Sequence, residues 1–397
     1  MKYDFIILGA DGMQGNIVVR DLLEQGYTVF AADLYKTRIK KILQQASPKK
    51  IRFLFIDLRN IDAIAALLKK IKSDIVINCA DMYWNLNVYK ACATTRKHCV
   101  DLGSWVELTQ RQLTLHKQFK AISRTAITGC GSVPGIGNVM LRYAAKKFDH
   151  ITSIDVGFAW DSNIRKFVIP FSMKSILEEF TYSPRFVKHG KWVKIKPLAI
   201  SIRRKFKLIG YQQSFLVYHP ELYTFYRYYK DKGVQNIRFF AGFPGHSLEK
   251  IYSLIDLGFH SDKPVAIKEF GVRVAPFDLL NPVLKRLGSP VGYTESENLW
   301  VEIKGIKNKK SPASPSKAGR AKTILMECLV PPAKGWEEAG CNIDTGFPAV
   351  IIAKMIKDGI IQERGSFAPE AVIPEKEFFE ELAKKKLCVY ENGRAIN

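Results

Sequence analysis

The chain has 397 residues, 47% of them hydrophobic and 25% charged, a length and composition that suit two or three domains with a sizeable core and exclude disorder throughout. Lys and Arg number 61 against 38 Asp and Glu, a formal net charge of +23, which attracts anionic partners if it gathers on one face. Seven scattered Cys without a CxxC pair do not make a disulfide framework. With no apolar run approaching the roughly 18 residues of a membrane span, the expected setting is reducing, soluble and cytoplasmic.

Phe5 to Leu8 is a continuous apolar run, as in a strand buried on both faces of a parallel sheet. The loop Gly9-Ala10-Asp11-Gly12-Met13-Gln14-Gly15 separates it from a helix that carries Ile17, Val18, Leu22 and Leu23 inward and ends at Gly26. Glycines in that position permit a tight turn and let the backbone approach a pyrophosphate, whose charge meets the helix N-terminus. The spacing is GxxGxxG, a variant of the commoner GxGxxG. A second strand, Val29 to Ala32, ends at Asp33, 18 residues after Gly15 and near the position of a ribose-binding acid. A carboxylate there accepts from a ribose 2′-OH and favours NAD over NADP, whereas Lys36 and Arg38 offer a clamp for a 2′-phosphate. Capping of a turn is the structural alternative for Asp33.

Strands at Ile51 to Ile56 and Asp74 to Cys79, with a helix through Ile64, Leu67, Leu68 and Ile71 between them, continue the alternation. It predicts an α/β fold, a Rossmann-type doubly wound parallel sheet. Ligands of such sheets bind at the carboxyl ends of strands. That adds Asp57 and Leu58, then Asn78, Cys79 and Ala80, to Gly9, Gly12, Met13, Gln14, Gly15 and Asp33 as expected cofactor-binding residues. Asp101, at the end of a fifth strand, faces the nicotinamide side as base or amine anchor, or caps a helix beginning near Ser104.

Past residue 134 the rhythm changes. From Trp192 to Ile209 apolar residues (Val193, Ile195, Phe206, Leu208) alternate with basic ones (Lys194, Lys196, Lys205, Lys207), the pattern of an antiparallel sheet with one wet face. No acid stands between Phe180 and Pro220. The leading reading of this basic stretch is a solvated sheet face; nucleic acid or an anionic membrane surface is a weaker alternative, since no binding motif or stacking array accompanies it. Lys307 to Lys322 reads as a polar loop that cannot bury enough surface to order itself. Ala349, Val350, Ile352, Ala353 and Ile356 form an apolar helix suited to packing on a sheet.

Oxidation of a C–N bond needs a hydride acceptor, a base and groups that hold the substrate. Beside Asp101, the expected proton-transfer residues are His246, in a Pro-Gly-His loop, and Tyr218, next to His219 and Pro220. Arg273, flanked by Val272 and Val274, is the expected carboxylate ligand, and Thr345 the expected anion contact at a helix start. No metal-ligating spacing occurs.

From Asp74 onward the chain resembles the saccharopine dehydrogenase family of NAD(P)-dependent oxidoreductases. The resemblance lies in Asn78-Cys79-Ala80, His98-Cys99-Val100-Asp101, Gly129-Cys130-Gly131-Ser132-Val133-Pro134-Gly135 up to Asn138, Phe171-Ser172 to Glu179, Phe243-Pro244-Gly245-His246, Thr345-Gly346-Phe347-Pro348 and Ala368-Pro369-Glu370. It implies an inserted α+β substrate and dimerisation domain: residues 1–133 as the Rossmann domain, 134–345 as the insertion, and 346–397 as a segment returning to the first. Val133 stands where saccharopine reductases usually carry an acid. The resemblance therefore leans to lysine 6-dehydrogenase-like oxidative deamination of a small amino-acid substrate, by a homodimer. Reductive condensation of an aldehyde with an amino acid, as in saccharopine- and carboxynorspermidine-forming relatives, is the alternative within chemistry; a non-catalytic dinucleotide-binding scaffold is the alternative outside it.

Overall fold

The computed structural model describes residues 2–103, 105–169, 172–284, 286–307 and 319–397. Ser104, Phe171 and most of the Lys-rich stretch, including Lys309, Lys310 and Lys317, lie outside the described residues.

Six short strands, β1 (Phe5–Leu8), β2 (Val29–Asp33), β3 (Ile51–Phe55), β4 (Ile75–Asn78), β5 (His98–Asp101) and β6 (Thr125–Ile127), form a parallel sheet with helices between them. β1 and β4 are buried at every position, because helices cover both faces and leave no wet side for polar residues. The order runs β6-β5-β4-β1-β2-β3, with a seventh strand, Gly365–Phe367, parallel to β6 at the edge. The order reverses between β1 and β4, where the crevice of a doubly wound sheet opens.

A larger mixed sheet follows, built on β7 (His150–Ser162), β8 (Arg185–Lys188), β9 (Lys191–Lys194), β10 (Ser201–Phe206), β11 (Gly210–Leu216) and β12 (Asn236–Gly242), then Glu295–Lys307 and Arg320–Val330. The expected alternation holds in β10, where Phe206 is buried and Arg203 and Lys205 are exposed. Arg185, Lys188, Lys191, Lys194 and Lys196 are likewise exposed. Leu208 departs from it: the chain turns there with φ +67, and the side chain is 54% exposed.

The C-terminal segment does not simply return to the first sheet. The helix Ile343–Lys357 spans the expected boundary at 345/346 and packs on the first helix, Met13–Glu24. Gly365–Phe367 extends the parallel sheet, but Cys388–Glu391 then pairs with Arg320–Val330 in the mixed sheet. One hydrophobic core consequently runs from Phe5 and Ile7 through Val139 and Met140 of the helix Ile136–Ala145 to Leu299, Val301 and Val389. Among the described residues no helix is long and apolar enough to cross a membrane.

Candidate active site at the strand ends

The glycine loop is closed to side chains. Gly9 has φ +74, and a Cβ there would fall 2.3 Å from the Ala80 nitrogen; one at Gly15 would fall 2.0 Å from the Gly9 oxygen. The first helix begins at Met13 with Gly12 before it and no side-chain cap, so bare backbone stands where an anion binds best. Asp33 Oδ2 accepts from the Asp11 nitrogen at 2.8 Å and its Oδ1 from the Tyr35 nitrogen at 3.1 Å. Asp11 in turn accepts from the Thr37 and Ile39 nitrogens, both at 2.8 Å. Asp33 therefore combines its place beside the crevice with the capping of a turn. These residues fit a dinucleotide, whose diphosphate the loop would hold and whose adenosine ribose Asp33 would face.

At the next strand ends, Asn78 donates from Nδ2 to Asn85 Oδ1 at 2.7 Å, and Asn85 Nδ2 to the Gly103 carbonyl at 2.7 Å. Cys79 and Leu58 are buried. Burial pushes the Cys79 thiol far up, so it is no nucleophile. Asp57 is engaged by Arg59, with Nη2 2.6 Å from Oδ2.

Between the two sheets lies a cavity of about 350 Å³, bounded by Gln14, Leu102, Gly103 and the turn Ser132-Val133-Pro134 on one side. Trp160, the face of the helix Met173–Thr181 and the Tyr218-His219-Pro220 turn bound it on the other. Four carboxylates (Glu178, Glu179, Glu297 and Asp344) line it, and its described lining residues include no Lys or Arg.

Burial pushes Glu179 up to about 7, against the pull of His219. Burial likewise pushes Glu178 up to about 7, against Lys174 and a hydrogen bond from Tyr83. On the far strand burial, and then the neighbouring charge of Asp344, lift Glu297 well above the carboxylate range, and burial lifts Asp344 to about 7. Burial alone would lower His219, but the Glu221 carboxylate bonded to its Nδ1 turns the shift upward. The cavity thus holds several groups that give or take a proton near neutrality.

Of the residues singled out in the sequence, Gln14, Tyr218 and Thr345 meet in this cavity. Gln14 Nε2 donates to Asn342 Oδ1 at 2.8 Å. Thr345 Oγ1 lies 3.3 Å from Ser132 Oγ and 3.1 Å from Asp344 Oδ1. Tyr218 donates to Glu107 Oε1 at 3.2 Å; burial, and then that glutamate, push its phenol up to about 12. A proton held so tightly suits hydrogen-bond donation better than transfer.

Three expectations do not fit. Asp101 is fully buried and saturated: Oδ1 accepts from the Gly103 nitrogen at 2.7 Å, the Gly129 nitrogen at 3.1 Å and Thr128 Oγ1 at 3.1 Å, and Oδ2 from Gln112 Nε2 at 2.6 Å. It braces the strand ends and does not face the cavity as base or amine anchor. His246 sits in the first turn of the helix Gly245–Asp256, outside the cavity lining, with Arg165, Asp161 and Glu249 as charged neighbours. Arg273 belongs to the exposed hairpin Val265–Ile267/Val272–Val274, where its Nη2 meets the Pro264 carbonyl at 3.3 Å. Of its apolar neighbours Val272 is exposed and Val274 only half-buried, so the inference from them to burial fails.

Sequence reasoning missed Glu178, Glu179, Glu297 and Asp344. A signal existed for one of them, Glu297. Glu295 and Glu297 share the strand phase of Leu299, Val301 and Ile303, all fully buried, and an acid in an apolar phase marks a polar interior. Glu178 and Glu179 lie off the face that Met173, Ile176, Leu177 and Phe180 bury, and carried no such signal.

Comparison with known proteins agrees with this architecture. Residues 5–127 match the family model of the saccharopine dehydrogenase NADP binding domain, and residues 109–387 that of the saccharopine dehydrogenase C-terminal domain. Carboxynorspermidine synthase of Vibrio alginolyticus is 24% identical over 382 residues, 91% of this chain and 88% of that protein. Carboxyaminopropylagmatine dehydrogenase of a Synechocystis strain is 24% identical over 384 residues, 93% of each. Apo saccharopine dehydrogenase (L-Glu forming) from Saccharomyces cerevisiae superposes with a TM-score of 0.74 over the full length of both chains at 15% identity, a likeness of fold.

Proposed function

The chain belongs to the saccharopine dehydrogenase family of oxidoreductases that use a nicotinamide dinucleotide, and from that premise we propose that it joins an amine reductively to an aldehyde derived from an amino acid. The observation that carries this reading is the cavity lining: four carboxylates, with no Lys or Arg among its described residues. A free amino acid presents a carboxylate that such a lining repels, whereas an amine with more than one cationic nitrogen is attracted to it. Lys174, whose charge acts on Glu178, and Arg185, whose charge acts on Tyr218, lie outside the lining and are the cations felt there that could balance a single carboxylate of the aldehyde partner. The names of two relatives, carboxynorspermidine synthase and carboxyaminopropylagmatine dehydrogenase, describe molecules of this composition.

In the balanced reaction, aldehyde and ammonium lose water to form an iminium C=N bond. A hydride, which a bound reduced dinucleotide would supply, and one proton are then needed to leave a secondary ammonium. The chain's own residues hold the reactants and move protons: Glu178 and Glu179, titrating at about 7, can take the proton released by the attacking ammonium and return one to the departing hydroxyl. Tyr218 lines the cavity beside them, its hydroxyl proton engaged by Glu107. Asp33 supports NAD and Lys36 and Arg38 support NADP, so both belong in the assay.

The test is loss of nicotinamide absorbance when the purified chain meets NADH or NADPH, an amino acid bearing a terminal aldehyde, and a diamine, agmatine or lysine in turn. Turnover with a diamine or agmatine is the expected result. Oxidation of lysine with NAD and no condensation would replace this reading with oxidative deamination.

A further inference from the structure

We propose that the cavity has two poles for one substrate bearing two cationic nitrogens, Glu297 and Asp344 beside Gln14 receiving one and Glu178 and Glu179 the other; this rests on the condensation reading and adds how the amine is chosen. Asp344 is 2% exposed and lines the cavity, and its Oδ2 has no N–H or hydroxyl donor, only the neighbouring Glu297 carboxyl sharing a hydrogen bond with the group. Gln14 Oε1, Glu178 Oε2 and Glu179 Oε2 likewise have no such donor. Four buried acceptors on lining residues thus lack an N–H or hydroxyl donor. A buried acceptor left unpaired is costly, and an ammonium, with three N–H groups and a positive charge, satisfies several at once.

The poles are separate. The charged neighbours of Glu178 and Glu179 include Lys174, Asp81, His219 and Glu221, whereas Glu297 and Asp344 act on one another and feel Glu295. One pole is carried by the helix Met173–Thr181, the other by the strand Glu295–Lys307 and the start of the helix Ile343–Lys357. Phe158, Trp160, Trp105 and Tyr182 also line the cavity, apolar surface suited to the methylenes that join two ammonium groups. A monoamine satisfies one pole and leaves the other unpaired.

Calorimetric titration of the full chain, without dinucleotide, with putrescine and with n-butylamine tests this. Putrescine should bind at least about tenfold more tightly, in line with an extra charge-assisted contact. Asp344→Asn and Glu179→Gln should each weaken putrescine by about tenfold or more and bring it toward butylamine, with NADH binding as the check that each variant is folded. Should a variant fail to fold, Glu178→Gln, at a partly exposed position, reads its pole, and the comparison of the two amines on the unaltered chain needs no variant. Equal affinity for both amines, or putrescine binding indifferent to neutralisation at either pole, overturns the proposal. Diamine binding as described without condensation would overturn the reaction and leave the poles standing. Condensation with an amine KM unmoved by these substitutions would do the reverse.

Discussion

Asp101 and Asp344 are both buried carboxylates near the strand ends, and their hydrogen bonds separate their roles. Asp101 is matched by donors from Gly103, Gly129, Thr128 and Gln112, so removing it strands those donors. Asp101→Ala should destabilise the fold by about 2–5 kcal/mol, read by chemical or thermal melting; a change within about 0.5 kcal/mol would contradict the bracing role. Arg273→Ala, in an exposed hairpin, should stay within about 0.5 kcal/mol in the same assay.

Asp344 and Glu179 behave differently because burial raises both to about 7. A raised acid favours its protonated form in the folded state, so its contribution to stability is full below the ordinary carboxylate range and is lost as pH rises toward about 7. Cation binding needs the ionised form. Diamine affinity should therefore increase about tenfold from about pH 6 to about pH 8 for each such group engaged. His219 and Glu221 face Glu179 from neighbouring elements, Glu178 from its own helix, and Glu297 and Glu295 face Asp344, and the loss of any charge on His219 acts in the same direction. A flat calorimetric profile across that interval would exclude ionisation of these acids from recognition.

At the scale of elements, the turn from β1 into the first helix tolerates no added atom where it crosses itself. Gly15→Ala places a Cβ 2.0 Å from the Gly9 oxygen, whereas one at Gly12 meets the same oxygen at 3.3 Å. Gly15→Ala should consequently cost roughly tenfold or more in NADH or NADPH affinity, and Gly12→Ala less. An unaltered fluorescence titration in Gly15→Ala would show that the loop does not hold the diphosphate.

This turn was legible in the sequence because local rules define it: an apolar run, glycines, an amphipathic helix and an acid at the next strand end. The same rules located β1 and β4 to within a residue or two. The acidic cavity was not legible in this way, since Glu178 and Asp344 stand 166 positions apart and meet only when the mixed sheet folds over the strand ends. Arg273 shows the converse error: valines beside it read as a buried strand, but a two-stranded hairpin has no second layer to cover it.

At the scale of the molecule, the two sheets are fastened at several points. Tyr83 OH lies 3.4 Å from Glu178 Oε1, Trp105 packs on Tyr182 with ring centroids 5.4 Å apart, and Tyr218 bonds Glu107. The chain also returns to each sheet after leaving it, with Gly365–Phe367 on the first and Cys388–Glu391 on the second. Removing residues 388–397, and with them the fully buried Val389, should lower the melting temperature of the whole chain in one transition. Two resolved transitions in calorimetry would mean that the halves unfold independently.

The acid-lined cavity sits inside a chain of net charge +23, so a polycation meets opposite signs at long and short range. Its diffusional approach is opposed by the far field, and only at the mouth does attraction take over. Added salt that shortens the Debye length to roughly 8 Å screens the first effect more than the second. Stopped-flow encounter rates for a diamine should hence rise with modest ionic strength, the reverse of ordinary electrostatic steering.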